Sequence, residues 1–168
     1  GIGKTRLALE AASQGRERFT QGIYFVSLAS LSSSEFIVAA IAEVLGFAFF
    51  GPSEPKTQLL GYLRAAKREM LIVLDNLEHL PGAASDVRGL LDAAPDVKVL
   101  ATSRVPLRLS AEHVTPLAPL PVHDASELFT ELASARGIVL RADTMRSIEE
   151  ICRRLDGLPL AIELVASR

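Results

Sequence analysis

Three short, mainly apolar segments give the chain its main pattern. They cover residues 23–26, 70–74 and 97–101, and the third, although it contains Lys98, repeats the buried-strand pattern of the second. The middle run has no polar alternation and is closed by Asp75. A strand of this kind is buried on both faces, which is typical of the centre of a parallel sheet covered by helices. We therefore predict an α/β fold in which helices flank a parallel sheet.

Apolar residues at three- and four-residue spacing predict helices between and after these strands. The predicted helices cover residues 4–18, 36–45, 56–67, 83–93, 122–136 and 142–155, and a last helix opens near Leu158. In the first helix, the face predicted to pack on the sheet consists of Leu7, Ala8, Ala11 and Ala12. Ser33 or Ser34 is a candidate cap for the second helix, and Gly46 its predicted end. Pro159 fits the first turn of the last helix, where its missing N–H costs nothing.

Prolines mark a boundary after the third strand. The stretch that follows is interrupted by four of them: Pro106, Pro116, Pro119 and Pro121. Within this stretch, residues 112–115 could form one short strand. We predict an incomplete α/β core over residues 1–108, a proline-rich linker over 109–121 and a small helical subdomain, also incomplete, over 122–168.

The chain opens with Gly1-Ile2-Gly3-Lys4-Thr5, which has the form of the second half of a phosphate-binding loop that begins a helix. Glycines allow successive amide N–H groups to point at phosphate oxygens, and the helix N-terminus is positive. Lys4 would reach the β- and γ-phosphates, and the Thr5 hydroxyl would hold Mg²⁺. Taken alone, the triplet fits equally well a helix cap with a solvated lysine.

The full phosphate-loop pattern requires a glycine five residues before Gly3, whereas the sequence begins two residues before it. We therefore expect half of the amide cradle to be missing, and the chain by itself to bind nucleotide weakly or undetectably.

Polar residues close the second and third strands. Asp75 lies where open α/β sheets place their ligands, at the carboxyl end of a strand. Arg104 follows the third strand and could meet a phosphate with its fork of donors. The alternative for Asp75 is a cap for the following turn, and for Arg104 a solvated side chain.

Composition excludes several classes of partner. The net charge is −2 and the basic residues are scattered, so no face predicts binding of nucleic acid or anionic lipid. Cys152 is the single cysteine, which excludes an internal disulfide and favours a cytoplasmic location. No apolar run is long enough to cross a membrane. His79, His113 and His123 match no metal-ligand spacing. DNA contact is therefore expected only through a domain outside this chain.

Four ordered motifs together resemble the STAND ATPases of the NB-ARC group. They are Gly-Ile-Gly-Lys-Thr-Arg-Leu-Ala at 1–8, Leu-Ile-Val-Leu-Asp-Asn-Leu-Glu-His-Leu at 71–80, Ala-Thr-Ser-Arg at 101–104 and Gly-Leu-Pro-Leu-Ala at 157–161. The likeness is strongest to the ATPase modules of bacterial transcriptional regulators of the LuxR and antibiotic-regulatory kinds. It implies a P-loop NTPase sheet without its first strand, truncated within the Walker A motif, followed by the helical subdomain.

The resemblance implies roles for single residues. Lys4, Asp75 and Arg104 match catalytic positions, with Asp75 as the Walker B aspartate and Arg104 as the sensor of the γ-phosphate. Thr5 and Asp75 match the Mg²⁺ ligands. Pro159 matches a proline that packs against adenine. The implied nucleotide-binding set is Gly1, Gly3, Lys4, Thr5, Arg6, Asp75, Arg104 and Pro159.

One departure from the family pattern concerns catalysis. Many relatives carry a second acid directly after the Walker B aspartate, but this chain has Asn76, an amide that cannot act as a base. Glu78 is the nearest carboxylate, and a structural role at a helix start is the favoured interpretation for it. We expect hydrolysis of ATP to be slow and regulatory.

Three functions stay open at this stage. The first is a switch that binds ATP or ADP with Mg²⁺ and controls a signalling or transcriptional output domain. The second is an AAA+-type motor or loader, against which Asn76 counts. The third is a degenerate interaction module that binds no nucleotide. Self-association of a full-length parent is compatible with the first two.

Overall fold

A computed structural model describes residues 1–66, 69–110, 112–139 and 141–167. The chain forms two compact units. The first, here called the sheet unit, comprises Thr5–Val114. The second, here called the helical unit, comprises Gly1–Lys4 together with Thr115–Arg168.

The sheet unit is built on three parallel strands, which are β1 (Ile23–Ser27), β2 (Met70–Asp75) and β3 (Val97–Ala101). Their order in space is β1-β2-β3. All residues of β2 are buried, as its uninterrupted apolar run predicts. The register aligns Ser27 with Asp75 and Leu74 with Ala101, so the strands end at one edge of the sheet. The predicted α/β fold with a parallel sheet is confirmed.

Helices cover both faces of this sheet: α1 (Lys4–Gln14), α2 (Ile37–Leu45), α3 (Pro55–Ala66) and α4 (Ala83–Ala93). On one face, Ala8 and Ala12 of α1 pack with Leu71 and Val73. On the other face, α2, α3 and α4 build the larger core, which includes Ile72 and Leu74. Successive residues of β2 therefore point to opposite cores. Two single 3-10 turns, Ser34–Phe36 and Leu77–His79, complete the unit.

The helical unit contains α5 (Val122–Ala135), the 3-10 turn Ala142–Thr144, α6 (Met145–Arg154) and α7 (Pro159–Ala166). Ala125, Ile148, Cys152 and Ile162 form its buried core. Pro159 stands in the first turn of α7, as predicted. No helix in the described part of the chain is both long and apolar enough to cross a bilayer.

Two expectations about packing are wrong. Leu7 and Ala11 are exposed, and α1 ends at Gln14 instead of residue 18. Within α1 only Ala8 and Ala12 are buried, because a helix that packs on a sheet through small alanine side chains buries only a narrow stripe of its surface. The third strand is not buried throughout: only Val97 is fully buried, since β3 pairs with β2 alone within the described sheet.

The loop after β3 also differs from expectation. Residues 112–115 form no strand. Instead, the Glu112 carboxylate accepts hydrogen bonds from the backbone N–H groups of Leu107, Arg108 and Leu109 at 2.8, 2.6 and 3.3 Å, so this side chain organises the loop.

The ends of α2 are as the sequence predicts. Ser33 caps the turn before this helix, and Gly46 ends the helix with a left-handed φ of 67°. The predicted end of the third helix at Lys67 lies outside the described residues.

Candidate functional site

The carboxyl edge of the sheet meets the first turn of α1. The hydroxyl of Thr5 donates a hydrogen bond to Oδ1 of Asp75 at 2.7 Å, although 70 residues separate the two in sequence. Asp75 is the last residue of β2 and is buried. Two of the residues that the sequence singles out are therefore in direct contact at the predicted edge.

A second hydroxyl reaches the same carboxylate. Thr102 donates to Oδ1 of Asp75 at 2.6 Å and accepts the backbone N–H of Asn76 at 2.9 Å. Its own backbone N–H donates to Leu74 O at 2.9 Å, and its carbonyl accepts from Leu77 at 3.0 Å. Thr102 is buried and is absent from the residues that the sequence pattern identifies. The signal lay in the Ala-Thr-Ser-Arg motif, of which only Arg104 is assigned a role.

Asn76 has both its backbone and its side chain engaged. Its φ of 70° is left-handed, which asparagine tolerates better than most residues. The side-chain amide lies 3.1 Å from Nδ1 of His79, whose Nε2 lies 3.0 Å from the carbonyl oxygen of Leu31. Because a carbonyl can only accept, Nε2 is the donor to Leu31, and in that tautomer Nδ1 can accept from the Asn76 amide. The position that follows Asp75 is thus occupied by a tethered amide.

Arg104 is held at the same edge by an acid. Its Nε lies 3.1 Å from Oε1 of Glu78, with the arginine side chain 79% exposed and the glutamate 13% exposed. Glu78 belongs to the 3-10 turn Leu77–His79, which follows β2 after one residue. The sequence predicts for Glu78 a structural role at a helix start. In the structure, Glu78 also forms an ion pair with Arg104.

The glycines of the amino-terminal motif lie within the helical unit. Gly3 has a φ of 91°, a conformation that favours glycine. A Cβ built on Gly3 would lie 3.8 Å from Cγ of Pro159, and Leu160 donates its backbone N–H to the Gly1 carbonyl at 3.4 Å. Gly1, Gly3 and Pro159, three members of the implied nucleotide set, are therefore neighbours.

Two further members of that set stand at the start of α1. Lys4 is its first residue and is half-buried, whereas Arg6 is exposed. The amino end of a helix carries a partial positive charge that favours anions. A lysine at that end adds a full charge of the same sign.

The oxygen atoms at this edge suit a hard cation. Mg²⁺ prefers oxygen ligands and is usually bound by one or two protein groups together with phosphates and water. The hydroxyl of Thr5 and the carboxylate of Asp75 form such a pair, already 2.7 Å apart. Within the described residues there is no group of three or more His, Cys, Asp or Glu side chains that could hold a metal ion. The Thr5 hydroxyl and the Asp75 carboxylate are oxygen donors of the kind that could hold such a cation.

Comparison with known proteins shows that the chain is similar to segments of bacterial regulators. No protein-family model matches it. It is 40% identical over 174 residues to a Mycobacterium tuberculosis protein named as an HTH-type transcriptional regulator, covering 100% of this chain and 19% of that protein. It is 30% identical over 175 residues to the regulatory protein AfsR of Streptomyces griseus, covering 100% of this chain and 17% of AfsR. The chain thus spans less than a fifth of the length of these relatives.

A solved structure shares the fold. The ORC2 protein of Aeropyrum pernix, determined as ADPNP–ADP complexes, matches 100% of this chain and 59% of its own chain with a TM-score of 0.56 and 16% sequence identity. At this identity the likeness shows the fold alone. As predicted, the shared fold is a parallel sheet flanked by helices.

Proposed function

We propose that the chain is the nucleotide-binding switch module of a transcriptional regulator. It binds ATP or ADP with Mg²⁺, hydrolyses ATP slowly, and passes the difference between the two states to an output domain. The observation that carries this proposal is the 2.7 Å hydrogen bond between Thr5 at the start of α1 and Asp75 at the end of β2. This bond joins a Gly-Lys-Thr helix start to a strand-end carboxylate, which are the two halves of a nucleotide-phosphate site.

The phosphates would lie at the amino end of α1. Gly3 supplies a backbone turn without a side chain, and Lys4 supplies the positive charge. Thr5 and Asp75 would hold Mg²⁺ through oxygen atoms, and a bound Mg²⁺ there would neutralise charge on the β- and γ-phosphates. Pro159, which adjoins Gly3, is the residue we expect beside the adenine.

Slow hydrolysis follows from the residue after Asp75. An attacking water is deprotonated most readily by a group that can accept a proton near neutral pH. Asn76 cannot do so, and its amide is already bonded to His79. Glu78 is the nearest carboxylate in sequence, but it is paired with Arg104. Hydrolysis is therefore expected to be slow. Slow hydrolysis suits a switch better than a motor, because the output of a motor is hydrolysis itself.

Discrimination between ATP and ADP would come from Arg104. Only ATP has a γ-phosphate, so a cation that contacts this group binds the two nucleotides differently, and a ligand shifts a conformational equilibrium only through such a difference. Arg104 follows β3 at the edge where Asp75 lies, and its guanidinium is exposed. We assign it the role of the γ-phosphate sensor.

The output would be transcriptional. The relatives named as regulators are at least five times longer than the matched segment, and one is named as an HTH-type protein. With a net charge of −2 and scattered basic residues, the composition of this chain does not favour a DNA-binding face of its own. DNA contact therefore belongs to another domain of the same cytoplasmic protein.

Equilibrium titration tests the proposal. ATP and ADP are titrated, with and without Mg²⁺, into a chain extended at its amino terminus to carry a complete phosphate loop, and into Thr5→Val and Asp75→Asn versions of it. We expect Mg²⁺-dependent binding of both nucleotides by the unsubstituted chain, and loss of the Mg²⁺ dependence in both variants. Absence of binding by the folded, unsubstituted chain would exclude a nucleotide switch.

A further inference from the structure

The turn that carries Glu78 is fixed firmly to the sheet. Leu77 is buried, and its N–H donates to the carbonyl of Thr102 at 3.0 Å. Thr102 is in turn bonded to Asp75 and precedes Arg104 by two residues. Glu78 and Arg104 therefore extend from two segments that the same threonine joins, and their ion pair closes this arrangement at 3.1 Å.

The side chains of Glu78 and Arg104 differ sharply in their exposure to solvent. The Glu78 side chain is mostly buried, whereas the Arg104 side chain is exposed to solvent over most of its surface. A long exposed arginine without an anchor samples many rotamers, and it must give up that freedom when it binds a ligand. The carboxylate of Glu78 engages Arg104 on its Nε edge. A guanidinium held in this way can still present its terminal nitrogens to a phosphate, because it carries five donors in a fixed plane.

We propose that Glu78 is a positioning residue for Arg104 and thereby sets the preference of the module for ATP over ADP. This inference rests on the proposed function. Anchoring the guanidinium before the nucleotide arrives removes part of the ordering cost of the γ-phosphate contact. ADP lacks that phosphate, so its affinity gains nothing from the anchor. An ion pair with one exposed partner contributes little to folding stability, so its loss should alter nucleotide preference more than the fold.

The test measures the ratio of ATP to ADP affinity by calorimetric titration in Mg²⁺. The protein is the chain extended by a complete phosphate loop, compared with its Glu78→Gln, Arg104→Gln and double variants. We expect Glu78→Gln to weaken ATP binding about fivefold, the equivalent of ordering one long side chain, and to leave ADP binding within about twofold. In the Arg104→Gln background the same substitution should change neither affinity.

Two further variants sharpen the result. Glu149→Gln removes the carboxylate of an exposed pair with Arg153 in α6, and it should leave both affinities unchanged. Glu78→Asp keeps the charge but shortens its reach, and it should lose part of the preference; it also serves as the test if circular dichroism shows that Glu78→Gln does not fold.

The outcomes separate the two proposals. If the unsubstituted chain binds neither nucleotide, the proposed function fails and the role of Glu78 fails with it. If it binds both, an ATP-to-ADP ratio that is unchanged or higher in Glu78→Gln overturns the role of Glu78 alone. A fall in ATP affinity that is equally large in the Arg104→Gln background also overturns it, because Glu78 would then act without Arg104.

Discussion

Thr102 donates a hydrogen bond of 2.6 Å to the carboxylate oxygen of Asp75 that also accepts the hydroxyl of Thr5 at 2.7 Å. Three segments, namely the start of α1 and the ends of β2 and β3, therefore converge on one oxygen atom. Hydrogen bonds to an ionised acceptor are stronger than neutral ones. The geometry of the candidate Mg²⁺ ligand thus depends on a residue that need not touch Mg²⁺ itself.

Replacement of Thr102 by valine should destabilise the sheet unit. The change removes the donor to Asp75, in a buried hydrogen bond, and the acceptor of the Asn76 N–H, in a partly buried one. Leaving buried polar groups unsatisfied costs about 1–3 kcal/mol. Urea unfolding of Thr102→Val should show this loss, whereas Thr102→Ser, which keeps the hydroxyl, should retain most of the stability. Equal stability of the valine variant and the unsubstituted chain would show that these bonds are not needed.

The central strand should be far more sensitive to truncation than the exposed face of α1. Ile72 is fully buried in the larger core, whereas Leu7 is 49% exposed. Ile72→Ala should reduce the free energy of unfolding by about 2–5 kcal/mol. Leu7→Ala, the matched control, should change it by no more than about 0.5 kcal/mol. A comparable loss for both variants would mean that Leu7 packs on the sheet after all.

Two glycines with left-handed φ angles allow the cost of backbone strain to be measured apart from the cost of steric overlap. A Cβ at Gly157 (φ 61°) would overlap the backbone carbonyl oxygen of Leu120, whereas a Cβ at Gly137 (φ 77°) would have no neighbour within 4 Å. Gly137→Ala should cost about 1–2 kcal/mol for its conformation alone. Gly157→Ala should cost about 1–3 kcal/mol more, because overlap with backbone cannot be relieved by a rotamer change. Thermal unfolding of both variants measures the difference, and equal losses would contradict the close approach.

Cys152 should make stability fall at alkaline pH. Burial raises the pKa of its thiol above the ordinary value of 9.0, and a hydrogen bond with Ser126 offsets part of that rise. The unfolded chain therefore releases this proton at a lower pH than the folded chain does. The contribution of the thiol to stability is complete below the unfolded pKa and is lost as pH rises towards the folded pKa. Cys152→Ala should show a smaller decrease in unfolding free energy above pH 9 than the unsubstituted chain; identical profiles would place the thiol in solvent.

The fold could be predicted where one local pattern dominates. The uninterrupted apolar run of β2 admits few alternatives to a central strand, and Gly46 ends α2 because it adopts the left-handed conformation. The helix Ala83–Ala93 was predicted with the bounds that the structure has. These features depend on propensity and periodicity, which act over a few residues.

The features that were not predicted depend on contacts between distant segments. Periodicity indicates an apolar stripe on α1 but not that alanines alone meet the sheet, which leaves Leu7 exposed. The role of Thr102 follows from the register that aligns Leu74 with Ala101, and a strand pattern does not encode register. The pairing of Glu78 with Arg104 likewise joins the ends of two strands.

The most direct test of the central claim is the melting temperature of the chain, extended to carry a complete phosphate loop, with and without MgATP. At a hundredfold excess over its dissociation constant, a ligand that binds only the folded state adds about 2.7 kcal/mol, which corresponds to a rise of roughly 5–10 °C for a domain of this size. We expect that rise in the unsubstituted chain and none in Lys4→Ala. An unsubstituted chain that melts at the same temperature with and without MgATP would contradict the nucleotide switch.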